Sequence, residues 1–545
     1  CERKDPMRAR QAAGEENTCS VYDAHHVRFP ESIFSALMSR SKNNLVADAK
    51  EIFSAAVGAV RPSRCFERLS LVDLVSQARE RDETSLEAAS GGLDSYDAVW
   101  IVAFGKAALG MAGAAETQVE ACGGTVAGGI AVVPPGYRES LPGSERRPEK
   151  TDVMIGDHPV AGEASARAGR AVLRIVENAG ENDLVLCLIS GGGTSLITVP
   201  VDELDVWDVR RTYSLLLKSG ANIHEVNSVR KHLTQIGGGQ LAERSRAHIV
   251  SLIVSDVPGD DLSVIASGPT VPDPSTFEDT LRVAYRHGFW SDLPEPIRNR
   301  LAEGARGRRK ETPDDASALR HPRHGSPVNH LIATNQTAQS AARRKAEELG
   351  YQIVSPGALL GASNNLPDAE ADHQSTDAHP DGMAPYLLSG EAKEVGAHVV
   401  RGWIAVDKVR TTAPGASPTA GTGADTDPSG PLCCVLGGET TVTVTGDGKG
   451  GRSQELALAA AIEMDEADDE VVVLAGGTDG VDGPTEAAGA WCHSETAARI
   501  RAAGIDPEEA LRKNDSFAAH EAAGSILVTG PTHTNVMDLV ILLKA

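Results

Sequence analysis

Residues 183–193 read DLVLCLISGGG, six consecutive apolar side chains that run into a serine and three glycines. A strand solvated on one face alternates apolar and polar residues, whereas a strand covered on both faces reads as a continuous apolar run. The run therefore predicts a central strand of a parallel sheet, ending in a loop built mostly of backbone. AVWIVAFG (98–105), GGIAVVP (128–134) and HIVSLIVSD (248–256) repeat the pattern, and GEASARAGRAVLRIVENA (162–179) between them has helical periodicity. Strands that alternate with helices in this way predict a Rossmann-like doubly wound sheet. Upstream, a helix from Asn44 puts Leu45, Ala49, Ile52, Phe53, Ala56 and Val60 on one face and stops at Pro62.

Downstream, VNHLIATN (328–335), a helix to about Leu349 and YQIVSP (351–356) form a further strand–helix–strand unit. A helix is expected over 385–408, then strands at CCVLGGE (433–439), TTVTVT (440–445), EVVVLAGG (470–477), SILVTG (525–530) and MDLVILLKA (537–545). The expected organisation is a loose N-terminal extension (1–43), an N-terminal α/β domain (44–300) and a connecting segment (301–430). A C-terminal α/β domain with a mixed sheet (431–545) follows. Within the connecting segment, 302–327, 361–384 and 411–430 are too poor in apolar residues to order themselves, and read as disordered insertions.

The 545 residues carry 52 Lys plus Arg against 76 Asp plus Glu, a net charge of −24. That balance repels phosphate backbones, so neither nucleic acid nor an anionic membrane is an expected partner. No apolar run reaches the ~18 residues of a membrane helix. The eight cysteines form no C-x-x-C pair, which points to free thiols and a cytoplasmic protein; a monomer or homodimer is expected. Because the chain opens on Cys1, an organellar signal further upstream is not legible.

Ligands of open α/β sheets bind beyond the carboxyl ends of strands, so the residues after each apolar run carry the chemistry. Lys106 follows the first strand and begins a helix, a position suited to phosphate. LISGGGTSLI (188–197) offers backbone N–H groups and the Thr194 and Ser195 hydroxyls, an anion site in which three glycines exceed the needs of one tight turn. In EVNSVRKHL (225–233), Arg230, Lys231 and His232 point about 100° apart on a helix, so at most one or two serve a ligand. Asp256, Asp260 and Asp261 follow a strand and suit Mg²⁺, as do Asp479, Asp482 and Glu486 in a Gly-rich loop. GDGKGG (446–451) satisfies G-x-G-x-x-G at Gly446, Gly448 and Gly451, and Arg452 beside it suits a phosphate. Neither G-x-S-x-G nor H-E-x-x-H occurs.

These motifs stand in order with DHPVAGEASARAG (157–169), SDVPGDDLSVIASGPT (255–270), LGGETTV (436–442), GGRSQELAL (450–458), GGTDGVDGPTEAAGAW (476–491), KNDSF (513–517) and TGPTHTNVMDL (529–539). Together they resemble the glycerate 2-kinase family, built of a DUF4147-type and a MOFRL domain. The resemblance implies transfer of the γ-phosphoryl of ATP to the 2-hydroxyl of D-glycerate with Mg²⁺ in an active-site cleft between the two domains, and places the family's essential Lys and Arg on Lys106 and Arg452. On that reading Ser190, Gly191, Gly192, Gly193, Thr194 and Asn335 serve the nucleotide phosphates. Arg230, Glu439, Asn514 and Asp515 serve or support the substrate, and Asp256 and Asp479 the metal. Ser453, Ile236 and His533 depart from the family pattern, which has Asn, Lys and Gly there. The alternative, from G-x-G-x-x-G, is an NAD(P)H-dependent hydroxypyruvate reductase.

Overall fold

The computed structural model describes residues 42–80, 92–320, 325–360, 387–412, 430–465 and 471–545. Six strands form the first sheet: β1 (Val99–Phe104), β2 (Val126–Val133), β3 (Thr151–Ile155), β4 (Leu184–Ile189), β5 (His248–Val254) and β6 (Val328–Ala333). All pair in parallel, in the order β3-β2-β1-β4-β5-β6. β4 and β5 are buried along their whole length, as continuous apolar runs require. The order reverses between β1 and β4, which opens a crevice where those two strands end. The mixed second sheet contains β7 (Gln352–Ile353), β8 (Leu387–Leu388), β9 (Leu432–Gly438), β10 (Val471–Gly477), β11 (Gly489–His493), β12 (Ile526–Leu527) and β13 (Asp538–Lys544). Its order is β12-β11-β10-β13-β9-β7, with β8 also on β9. β13 is antiparallel to both β9 and β10, so its first residue lies at the edge where they finish, Asp538 facing Gly438 and Gly477. Helix Lys42–Ala59 packs on helix Asn335–Glu348, β10 and β13, and its Ile52 and Phe53 share one core with Val99 of β1 and Leu474 of β10.

Three local expectations change. TTVTVT is not a strand, because the chain there bonds to side chains instead of a ladder. Thr443 N and Oγ1 donate to Glu391, and the Thr445 and Gly446 N–H groups donate to Asn514 Oδ1. β3 and β11 were not foreseen; both are short and their edges mix polar with apolar residues. Residues 302–320, read as part of a disordered insertion, are largely exposed chain anchored at a few points. Helix Glu295–Gly304 enters the segment, Thr312 Oγ1 donates to Asp273, and Leu319 is buried. Residues 1–41, 361–384 and 413–429 lie outside the described residues, whereas helix Ala392–Thr412 starts later than the expected helix, whose first part holds β8, and runs past its end. Among the described residues, no helix is long and apolar enough to cross a membrane.

Candidate active site

β1 and β4 are pressed together where they end. Gly105 has φ +121°, and a Cβ there would lie 2.2 Å from Ser190 Oγ. Ser190 is thereby sealed in: its Oγ accepts from Ala107 N at 3.0 Å, and the residue is fully buried. The Lys106 N–H donates to Gly191 O at 2.9 Å, and its side chain reaches across to the second sheet, where Nζ lies 2.5 Å from Asp479 Oδ2. Asp479 stands in the turn after β10. Asp256, after β5, sits so close under the glycine loop that a Cβ on Gly191 would lie 1.9 Å from its Oδ2. Asn535 Nδ2 holds the same oxygen at 3.1 Å.

Arg452 opens helix Arg452–Glu463. Its Nε and Nη2 donate to the two Asp538 oxygens at 2.5 and 2.9 Å, and Nη1 meets Glu439 Oε1 at 2.6 Å. The helix itself is capped by a remote carboxylate, with Asp482 accepting the Ser453 and Gln454 N–H groups at 3.1 and 2.9 Å. Bonding to a helix N-terminus is favourable for an anion, and it fixes the turn that aims Arg452.

Five carboxylates (Asp256, Glu439, Asp479, Asp482 and Asp538) thus surround Lys106 and Arg452. Burial pushes the Lys106 ammonium down, but Asp479, helped less by Tyr137 and Asp256, more than reverses this and leaves it above the ordinary lysine value. Burial likewise opposes the Arg452 charge, and Asp538 and Glu439 override it. The carboxylates respond to crowding as burial predicts. Asp256 rises to about 6, with Lys106 holding it back, and Glu439 rises to about 7 despite Arg452. Asp482 rises to about 6, pushed by burial and by Asp538.

A cleft of about 500 Å³ opens beside this cluster, lined among others by Gly192, Thr194, Arg230, Asp256 and Glu439. The helical-spacing argument holds there: Arg230 faces the cleft, Lys231 is buried against Asp273 at 3.2 Å, and His232 turns to Ser228 O and Glu311. Other expected site residues do not reach the cleft. Asn335 is buried, and its Nδ2 donates to Val536 O and Asp538 O at 2.7 and 3.0 Å while Gln339 occupies its Oδ1. It braces β13 and contacts no open space. Asn514 and Asp515 bind the backbone of 443–449 and so shape the approach to Arg452.

The glycine arguments also shift. Each glycine of 191–193 has its own steric reason: Asp256 against Gly191, φ +82° at Gly192, and the Phe104 ring 2.8 Å from a Cβ on Gly193. Their number alone is therefore no sign of an anion. G-x-G-x-x-G is occupied by protein, since a Cβ would lie 2.2 Å from Lys513 O at Gly446, 2.4 Å from Asp515 Cβ at Gly448 and 2.3 Å from Asp482 Cγ at Gly451. No strand leads into it, and it presents no cradle for a pyrophosphate. Sequence reasoning missed Asn535 and Asp538, which precede an apolar run, and His158, a cleft residue that burial and Lys106 hold down at about 4. The rule of looking after strands suits parallel sheets only; an antiparallel strand such as β13 delivers its first residue.

Fold and cleft define a two-sheet α/β enzyme with its charged groups gathered at a topological switch point. The domain of unknown function DUF4147 matches residues 48–302, and the MOFRL family matches residues 432–538. A glycerate 2-kinase of Pyrococcus horikoshii is 37% identical over 444 residues, 81% of this chain and 86% of that protein. The crystal structure of glycerate kinase from Thermotoga maritima matches with a TM-score of 0.68 at 32% identity, covering 92% of this chain and 100% of that one. A relative from Agrobacterium vitis, 36% identical over 81% of this chain and 85% of its own, carries the name putative hydroxypyruvate reductase. The chain belongs to the glycerate kinase family.

Proposed function

We propose that this protein transfers the γ-phosphoryl group of ATP to the 2-hydroxyl of D-glycerate. The observation that carries the reading is that Lys106 and Arg452, one beside each sheet, are gathered next to a single cleft lined by Asp256 and Glu439. Phosphoryl transfer asks a protein mainly for positioning and for cations around the migrating group. Lys106 and Arg452 are held in place by Asp479 and by Asp538 with Glu439, so their charges are aimed before substrate arrives. Glu439 lines the cleft and titrates near neutrality, which suits it to take the hydroxyl proton. The filled G-x-G-x-x-G loop speaks against the reductase reading.

Among the described residues, no group of three or more His, Cys, Asp or Glu side chains could hold a metal alone. Mg²⁺ that arrives with nucleotide needs only one or two carboxylates beside phosphate oxygens, and Asp256 and Asp479, close enough to influence each other's field, fit that need. They would hold the ion, which would neutralise phosphate charge.

A coupled ADP-release assay with D-glycerate, L-glycerate and glycerol tests the proposal. ADP release that depends on D-glycerate is expected, with Arg452→Ala lowering kcat at least ~100-fold, or about 2.7 kcal/mol. Hydroxypyruvate-dependent oxidation of NADH without ADP release would refute it.

A further inference from the structure

Beside the cleft, Lys106 is matched by Asp479 and Arg452 by Asp538 and Glu439. Arg230, which lines it, differs. Its Nε is buried with no hydrogen-bond partner among the described residues, and Tyr213 is the titratable group that bears on its charge. The guanidinium carbon sits 4.9 Å from the centre of the Tyr213 ring, which orients the planar fork without neutralising it. A buried donor left unsatisfied costs about 1–3 kcal/mol, more when charged, so a protein that keeps one at a cleft wall gains from filling it with a ligand.

The surrounding wall is rigid. Ile223, Asn227 and Arg230 are spaced four and three residues apart, share one face of helix Ile223–Leu233 and line the cleft together. Asn227 Oδ1 accepts from Ser267 Oγ at 3.0 Å, and Ser267 Oγ meets Thr194 Oγ1 at 3.1 Å, tying the helix to the glycine loop. Asp256 and Glu439 line the same cleft. An entering molecule therefore meets one unmatched cation and two carboxylates there. A hydroxy acid fits that polarity, with its carboxylate toward Arg230 and its hydroxyl toward the acids. A planar fork pairs a carboxylate through two parallel hydrogen bonds.

We infer that Arg230 is the carboxylate anchor of this cleft, pairing the acid group of the substrate and so setting the preference for a hydroxy acid over a neutral polyol. The inference rests on the kinase reading for its reaction, though not for its binding event. The experiment compares wild type, Arg230→Gln and Arg230→Lys, each checked by thermal melting. Steady-state ADP release is measured with D-glycerate and with neutral glyceramide, beside calorimetric titration with D-glycerate.

Expected for Arg230→Gln is a rise of about 10–100-fold in KM for D-glycerate, with KM for ATP and turnover of glyceramide within about 3-fold of wild type. Arg230→Lys should fall between, since it keeps the charge and loses the fork. A structural role would move both substrates alike, and so would overturn the assignment. A rise confined to KM for ATP overturns it too and moves the anchor to the nucleotide. Should wild type bind D-glycerate yet release no ADP, the kinase reading fails alone, and loss of that binding in Arg230→Gln still supports the anchor. Equal binding by wild type and variant sinks the anchor alone.

Discussion

Replacing Asp479 by Asn removes the charge opposite Lys106 while keeping the shape. The two groups are 2.5 Å apart, with side chains 19% and 10% exposed. At an effective dielectric near 20, unit charges so close attract by about 7 kcal/mol before desolvation is subtracted. Breaking a buried pair at one end costs about 3–5 kcal/mol. Lys106 keeps some contact with water and has Asp256 in reach, so about 2–3 kcal/mol is expected. The sign with pH follows from the causes. In wild type the folded Lys106 pKa is raised, so its stabilisation is complete below the ordinary lysine value and disappears only as pH climbs through the folded one. Without Asp479, burial dominates and the folded value drops below the ordinary one. The cost is then greatest near neutral pH and shrinks as the lysine sheds its proton. Urea unfolding at neutral and alkaline pH measures this, and kcat against pH measures its effect on turnover. The alkaline limb of kcat should move to lower pH, with kcat at neutrality down at least ~10-fold. An unmoved limb together with unchanged stability would refute the reasoning.

Further perturbations probe the other contacts. Glu439→Gln should abolish the rise of kcat expected of wild type as pH passes through about 7, since the proton acceptor is gone. Its unfolding curve should also be flatter across that window, because the raised carboxyl of wild type favours folding below the ordinary glutamate value and loses that advantage as pH rises through about 7. Gly191→Ala must displace Asp256, whose Oδ2 lies 1.9 Å from the new Cβ position, and should lower kcat about 10–100-fold in a protein that still melts cooperatively. Asn335→Ala leaves the Val536 and Asp538 carbonyls without their donor; it should cost about 2–4 kcal/mol in chemical denaturation and leave KM for ATP within about 2-fold.

The first sheet was legible because burial on both faces leaves a plain signature, as in 184–189 and 248–254. Lys106, Asp256, Asp479 and Arg452 were legible because they stand beside glycine-rich chain ends. Asp538 was not, since the reading assumed strands that deliver their final residues. The alternation in 441–445 was real, yet Glu391 and Asn514 took the backbone bonds a neighbouring strand would have supplied. Helical spacing alone could not tell Arg230, which the family resemblance gave to the substrate, from Lys231 and His232, because only the packing against Asp273 and Glu311 decides which of the three is left facing open space.

The position of β13 has a consequence for assembly. It follows β9 and β10 in the chain yet lies between them, so β9 with β7 and β8, and β10 with β11, are not joined into one sheet until it arrives. Asp538 arrives with it, and before that Arg452 lacks its two-pronged partner. A chain that has formed the first sheet but not inserted β13 would have its arginine unaimed. Recovered turnover should therefore trail every spectroscopic sign of collapse during refolding and report the insertion of this one strand.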